Sequence, residues 1–139
     1  MTVLDYLKAV AVAITTLVFT IAASFPMVAV YAFLIEPGHE QAFYTDAAQW
    51  IAPWSSHILG PITFFALNYW LARKSPERNA ILFAVSTIIA YLFIDLGIVI
   101  AIREDIAFFL TLEAIFWVVM KLAGALLGAQ LGKKIIYKE

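Results

Sequence analysis

Apolar residues fall into four long runs, at 9–35, 53–72, 80–102 and 106–132, separated by short polar clusters. A hydrocarbon layer about 30 Å thick needs roughly 20 helical residues to cross it, so each run is long enough to span. The first run contains no charged residue. It is also far longer than the apolar core of about 7–15 residues in a secretory signal, which argues against cleavage after Ala22, Ala23 and Ser24. Thr16, Thr20, Ser24, Met27 and Tyr31 recur at helical spacing and predict a packing stripe. Pro26 is expected to kink this helix.

Glu36, Pro37, Gly38, His39 and Glu40 then form a turn with a breaker pair. In the segment 41–52, Phe43, Ala47, Trp50 and Ile51 share a side. A Trp-bearing apolar stripe beside a span predicts a short interfacial helix between helices 1 and 2. Ser75, Pro76, Glu77 and Arg78 make the next connection, and Arg103, Glu104 and Asp105 the last. On the third run, Ala84, Thr87, Tyr91 and Asp95 share one face. The expected fold is all-α: a polytopic membrane protein, one integral domain, built as a four-transmembrane-helix bundle.

Composition agrees. Of 139 residues, 64% are hydrophobic and 14% charged. A soluble domain carries about a quarter charged and just under half apolar residues. A water-soluble globule of this size would still expose about a third of its chain surface, so the solvent for most of this chain must be lipid. The net charge of −1 gives no pull toward nucleic acid. There is no cysteine, which excludes thiolate nucleophiles and disulfide exchange. No repeat of about 20–50 residues is visible, and the two halves do not match as an inverted pair.

Cationic residues set the orientation. With four spans, Lys8, Arg73, Lys74, Arg78, Lys133, Lys134 and Lys138 lie on one side and Arg103 on the other. Cationic flanks stay in the cytoplasm, so a multi-pass plasma (inner) membrane protein with both termini cytoplasmic is expected.

Candidate chemistry lies inside the spans. Counted at about 1.5 Å per residue, Asp95 and Glu113 sit about 10 Å below the outer boundary on neighbouring helices. His57 enters from the same side, and Lys121 lies about 12 Å deeper than Glu113. A lone charge at such depth costs at least about 2.5–3.5 kcal/mol. Asp95, Glu113 and Lys121 are therefore expected to face the bundle interior, with His57 and Asn68 close by. Two carboxylates beside one lysine are the raw material of a proton relay. No metal and no cofactor is expected: His39 and His57 are the two histidines, and Glu36, His39, Glu40 and Asp46 have no recognised ligand spacing.

The last run ends in Gly124, Gly128 and Gly132, on the same third of the helix as Glu113, Trp117 and Lys121. Small residues at every fourth position let helix backbones approach closely. This face is expected to serve a second copy or a membrane partner, or else a contact inside the bundle against Ser86, Ala90 and Gly97. The first functional expectation is a helix-packing membrane subunit or scaffold, with the lipid bilayer as its constant partner. The alternative is a proton-coupled transporter or channel using Asp95, Glu113 and Lys121. A membrane enzyme with Glu113 or Asp95 as acid or base is weakest, because no nucleophile elbow or phosphate loop is visible.

Overall fold

The computed structural model describes residues 1–101, 107 and 110–136. Within them lie four α-helices: α1 (Val3–Val30), α2 (Gln41–Lys74), α3 (Ala80–Ala101) and α4 (Leu112–Ile136). α1 runs on into a π-helical turn, Tyr31–Ile35. Ile102, the turn at Arg103, Glu104 and Asp105, the expected helix start at Ile106, and Lys138 lie outside the described residues.

Local chemistry explains where three of the helices start. Thr2 caps α1: its Oγ1 accepts from the Asp5 backbone N–H at 3.3 Å, and the Asp5 carboxylate accepts from the Thr2 N–H at 2.8 Å. This reciprocal box satisfies two otherwise orphaned donors. It carries α1 six residues closer to the N-terminus than the apolar run. Asn79 caps α3 through the Leu82 N–H at 3.0 Å, and Thr111 caps α4 through the Ala114 N–H at 3.2 Å. Between α1 and α2, Gly38 adopts φ +90°, a conformation that a side chain disfavours. The Tyr44 hydroxyl ties this turn by donating to the Glu36 carbonyl at 2.8 Å.

The segment 41–52 is helical, but it is not a separate interfacial element. It continues without a break through Pro53 and Pro61 to Lys74. A proline removes one N–H and crowds one carbonyl; here neither ends the helix. α2 is 34 residues long, about 51 Å.

The helices alternate in direction. Arg78, in the α2–α3 connection, donates to Asp5 Oδ1 at 3.3 Å and to the Leu71 carbonyl at 2.9 Å, and stacks 3.7 Å over the Phe83 ring. It thereby pins the start of α1, the end of α2 and the start of α3 at one end of the bundle. Arg78 is only 8% exposed, so truncation would strand polar groups as well as remove packing. Arg78→Ala is expected to lower the midpoint of thermal unfolding in detergent by about 5 °C or more. Glu77→Ala, at an exposed site of the same turn, should leave that midpoint within about 1–2 °C.

α4 packs chiefly on α2. An added Cβ on Gly124, Gly128 or Gly132 would collide with the carbonyl oxygen of Pro61, Phe65 or Tyr69, respectively. Each glycine faces the residue 63 positions earlier, so α2 and α4 run parallel. Backbone meets backbone here, as small residues permit. The glycine face is thus filled by α2 of the same chain; α3 is not what it meets, and Gly97 has open space around its Cα.

The core is built of small and aromatic side chains: Ala9, Ala13, Phe64, Phe83, Ala84, Tyr91, Ala125 and Ala129. The outside is apolar, with Phe93 72% and Phe25 71% exposed. Three helices among the described residues are long and apolar enough to cross a membrane: Val3–Ile35, Ala80–Ala101 and Leu112–Lys134. α2 does not meet that measure. An apolar exterior around a core that holds Asn68, Thr16, Thr87 and Lys121 fits a small membrane protein.

Candidate functional site

The polar side chains converge half-way along the bundle, where α2, α3 and α4 meet. Lys121 on α4 is 6% exposed. Its stem crosses Gly60, where an added Cβ would come within 2.9 Å of Lys121 Cε. Glycine at 60 therefore gives the lysine room to reach across α2. Its Nζ donates to Ser56 Oγ on α2 at 3.1 Å and to Tyr91 Oη on α3 at 3.0 Å. The two hydroxyls lie 3.3 Å apart and share a further hydrogen bond. Tyr91 is fixed in turn by the edge of the Phe64 ring, 5.4 Å away.

Beside this triad a crevice of about 190 Å³ opens between α1, α2 and α3. Ser56 and Tyr91 line its inner wall, and Asp95, one turn beyond Tyr91 on the same face of α3, lines it as well. Thr20 and Ser24 of α1 complete the polar lining, and Leu17, Ile21, Ala52 and Ile98 supply apolar walls. The hydroxyl protons of Thr20 and Ser24 go to the carbonyls of Leu17 and Ile21, at 3.0 and 2.7 Å. Their oxygens remain free to accept. Among the described residues, no side chain hydrogen-bonds to Asp95 or pairs with it within 4.0 Å.

Of the five residues expected to cluster, Asp95 and Lys121 come to this site; His57 stays within electrostatic reach of Lys121 and Glu113 without joining the triad, and Glu113 and Asn68 stand apart from it. Glu113 is exposed in the first turn of α4. Helix α4 begins at Leu112, and Glu113 stands about two turns, roughly 12 Å, from Lys121 along it. Lys121 therefore turns to hydroxyls and not to carboxylates. His57, next to Ser56 in sequence, points the other way and stacks on Trp117 of α4, with centroids 4.4 Å apart and planes 4° from parallel. Trp54 closes that stack edge-on, 6.0 Å from Trp117. Asn68 is fully buried and donates to the Phe64 carbonyl at 2.9 Å. It lies twelve residues, about 18 Å, along α2 from Ser56, too far to reach Lys121.

Ser56 and Tyr91 belong to this polar centre, and the pattern of charges does not single them out. The signal for Tyr91 is its place on the face of α3 that carries Asp95. Ser56 has no comparable signal, since its role depends on the register between α2 and α4. At the exposed turn His39 Nε2 lies 3.3 Å from Glu36 Oε2; among the described residues no three His, Asp or Glu side chains converge as a metal cage would need. The site offers an amine held by two hydroxyls and, across the same wall, a carboxylate whose acceptors are unspent. No family model, no curated protein and no solved structure matches the chain.

Proposed function

We propose that the protein is a membrane carrier for a small solute, with Asp95 as the group that takes up and releases the coupled proton. One observation carries this reading: a carboxylate with no hydrogen bond and no ion pair within 4.0 Å among the described residues lines a crevice inside an apolar bundle, within electrostatic reach of the buried Lys121 that the same wall anchors. A purely structural acid and base would be expected to neutralise each other directly, because both are costly in lipid. Here Lys121 is tied to Ser56 and Tyr91, and the acid is left to the crevice.

In this reading α2 is a fourth crossing. It is less apolar than its neighbours, yet it runs parallel to α4 and in backbone contact with it along Pro61, Phe65 and Tyr69. Lys8, Arg73, Lys74, Arg78, Lys133 and Lys134 gather at one end of the bundle, which supports a cytoplasmic position in the plasma membrane for both termini. The scaffold reading is less well supported, because Gly124, Gly128 and Gly132 are already occupied by α2.

The test is reconstitution into liposomes with an internal pH dye and an imposed pH gradient. Small cations, anions and zwitterions are offered in turn. Wild type should show proton movement with one of these classes. Asp95→Asn should lose about 100-fold or more of that flux, the range of a removed proton-transfer group, while keeping its helical circular dichroism. Wild type that moves no proton with any class would overturn the carrier reading.

A further inference from the structure

The crevice lining specifies what kind of solute it takes. Its polar atoms present acceptors: the Asp95 carboxylate and the oxygens of Thr20 and Ser24, whose own protons are committed to Leu17 and Ile21. Among the described residues that line it, donors are nearly absent. Lys121 stands behind Ser56 and Tyr91, with its Nζ directed at those two oxygens. Those two hydroxyls bond to each other, so at most one of their protons is left to face the crevice. An anion would meet the Asp95 carboxylate and almost no N–H or O–H group. A bare metal cation would need about six oxygens around it, whereas Leu17, Ile21, Ala52 and Ile98 form much of the wall.

A ligand with two or three N–H donors at one end and a short hydrocarbon at the other meets both demands. The volume of about 190 Å³ is roughly six water volumes at about 30 Å³ each, room for a handful of heavy atoms. Resting on the carrier reading, we infer that the crevice binds a small primary alkylammonium ion, its nitrogen between Asp95, Thr20 and Ser24 and its alkyl group against Leu17, Ile21 and Ile98. Binding exchanges one cation for one proton: the carboxyl O–H of protonated Asp95 breaks, the proton leaves to water, and the carboxylate pairs with the ammonium. The charge of the occupied site is the same before and after.

Isothermal titration of the full chain in detergent tests this, with n-propylammonium chloride as the probe and sodium chloride and sodium acetate as comparisons at equal ionic strength. n-Propylammonium is expected to bind one to one, with sodium and acetate giving no saturable heat. Asp95→Asn should weaken binding by about 10–100-fold, the value of a charge-assisted hydrogen bond. Ser24→Ala, which removes one acceptor and leaves the charge in place, should weaken it by about three- to tenfold. Saturable binding of acetate or sodium in place of n-propylammonium would overturn the ligand class and leave the carrier reading standing. Undiminished n-propylammonium binding in Asp95→Asn would overturn the site. Binding as expected, with no proton movement in liposomes for any solute, would sink the carrier reading alone.

Discussion

Gly128→Ala is expected to be among the most damaging single methyl additions in the chain. Its Cβ would overlap the Phe65 carbonyl oxygen and come within 2.9 Å of the Phe65 carbonyl carbon and Cα. Backbone atoms cannot rotate away, so the parallel seam must open along its length. Overpacking of a rigid contact costs about 1–3 kcal/mol and sometimes more, and the upper end is expected here because two backbones are involved. Unfolding by a graded denaturing detergent, followed by circular dichroism, measures it. Gly97→Ala is the matched comparison: nothing lies within 4 Å of its added Cβ. Replacing a mid-helix glycine there should stabilise by about 0.5–1 kcal/mol. Equal effects at the two positions would mean that the seam is not close-packed. The seam is intramolecular, so Gly128→Ala should lower stability without changing the oligomeric mass on size exclusion.

Lys121→Met should separate activity from stability. The thioether side chain keeps the stem that covers Gly60 and removes the amine. Ser56 and Tyr91, 3.3 Å apart, would still satisfy each other. Removing the buried ammonium recovers a desolvation cost of several kcal/mol, which offsets its two hydrogen bonds and its attraction to Asp95. Unfolding should therefore be unchanged or shifted upward, while proton-linked flux falls by about 100-fold or more if the lysine holds Tyr91 and Ser56 in position at the crevice wall. Lys121→Ala should lose both, since it also empties the volume beneath Tyr91. If Lys121→Met retained full flux, the lysine would be packing alone.

Much of the bundle can be read from the chain because hydrophobic length and capping chemistry are local. The stripe Thr16, Thr20 and Ser24 is buried as its spacing implies, and the turn at Gly38 lies where the breaker pair stands. Asp95 and Lys121 could be flagged because charge in an apolar run is costly wherever it lies. Four features were not legible, each for a physical reason. The sequence 106–111 is nearly as apolar as the helix that follows, so hydropathy does not mark where α4 starts. The Thr111 cap, and not hydropathy, sets the start of α4 at Leu112. Pro53 resembles a boundary, yet α2 passes through it. Recognition of Lys121 by Ser56 and Tyr91 depends on which helices are neighbours and in what register, which is a tertiary property. The glycine periodicity announced a close contact, but the same pattern suits a neighbour in the chain or a second chain.

The same-direction pairing of α2 and α4 has a bearing on biogenesis. Partners 63 positions apart cannot meet until two further helices have left the ribosome and turned. Until then the carbonyl row at Pro61, Phe65 and Tyr69 has no glycine groove to fill, and Ser56 and Tyr91 await their amine. Helix α4 is thus the one that closes this seam. A chain halted before Leu112 would present quality-control machinery with an open groove and a half-built polar centre.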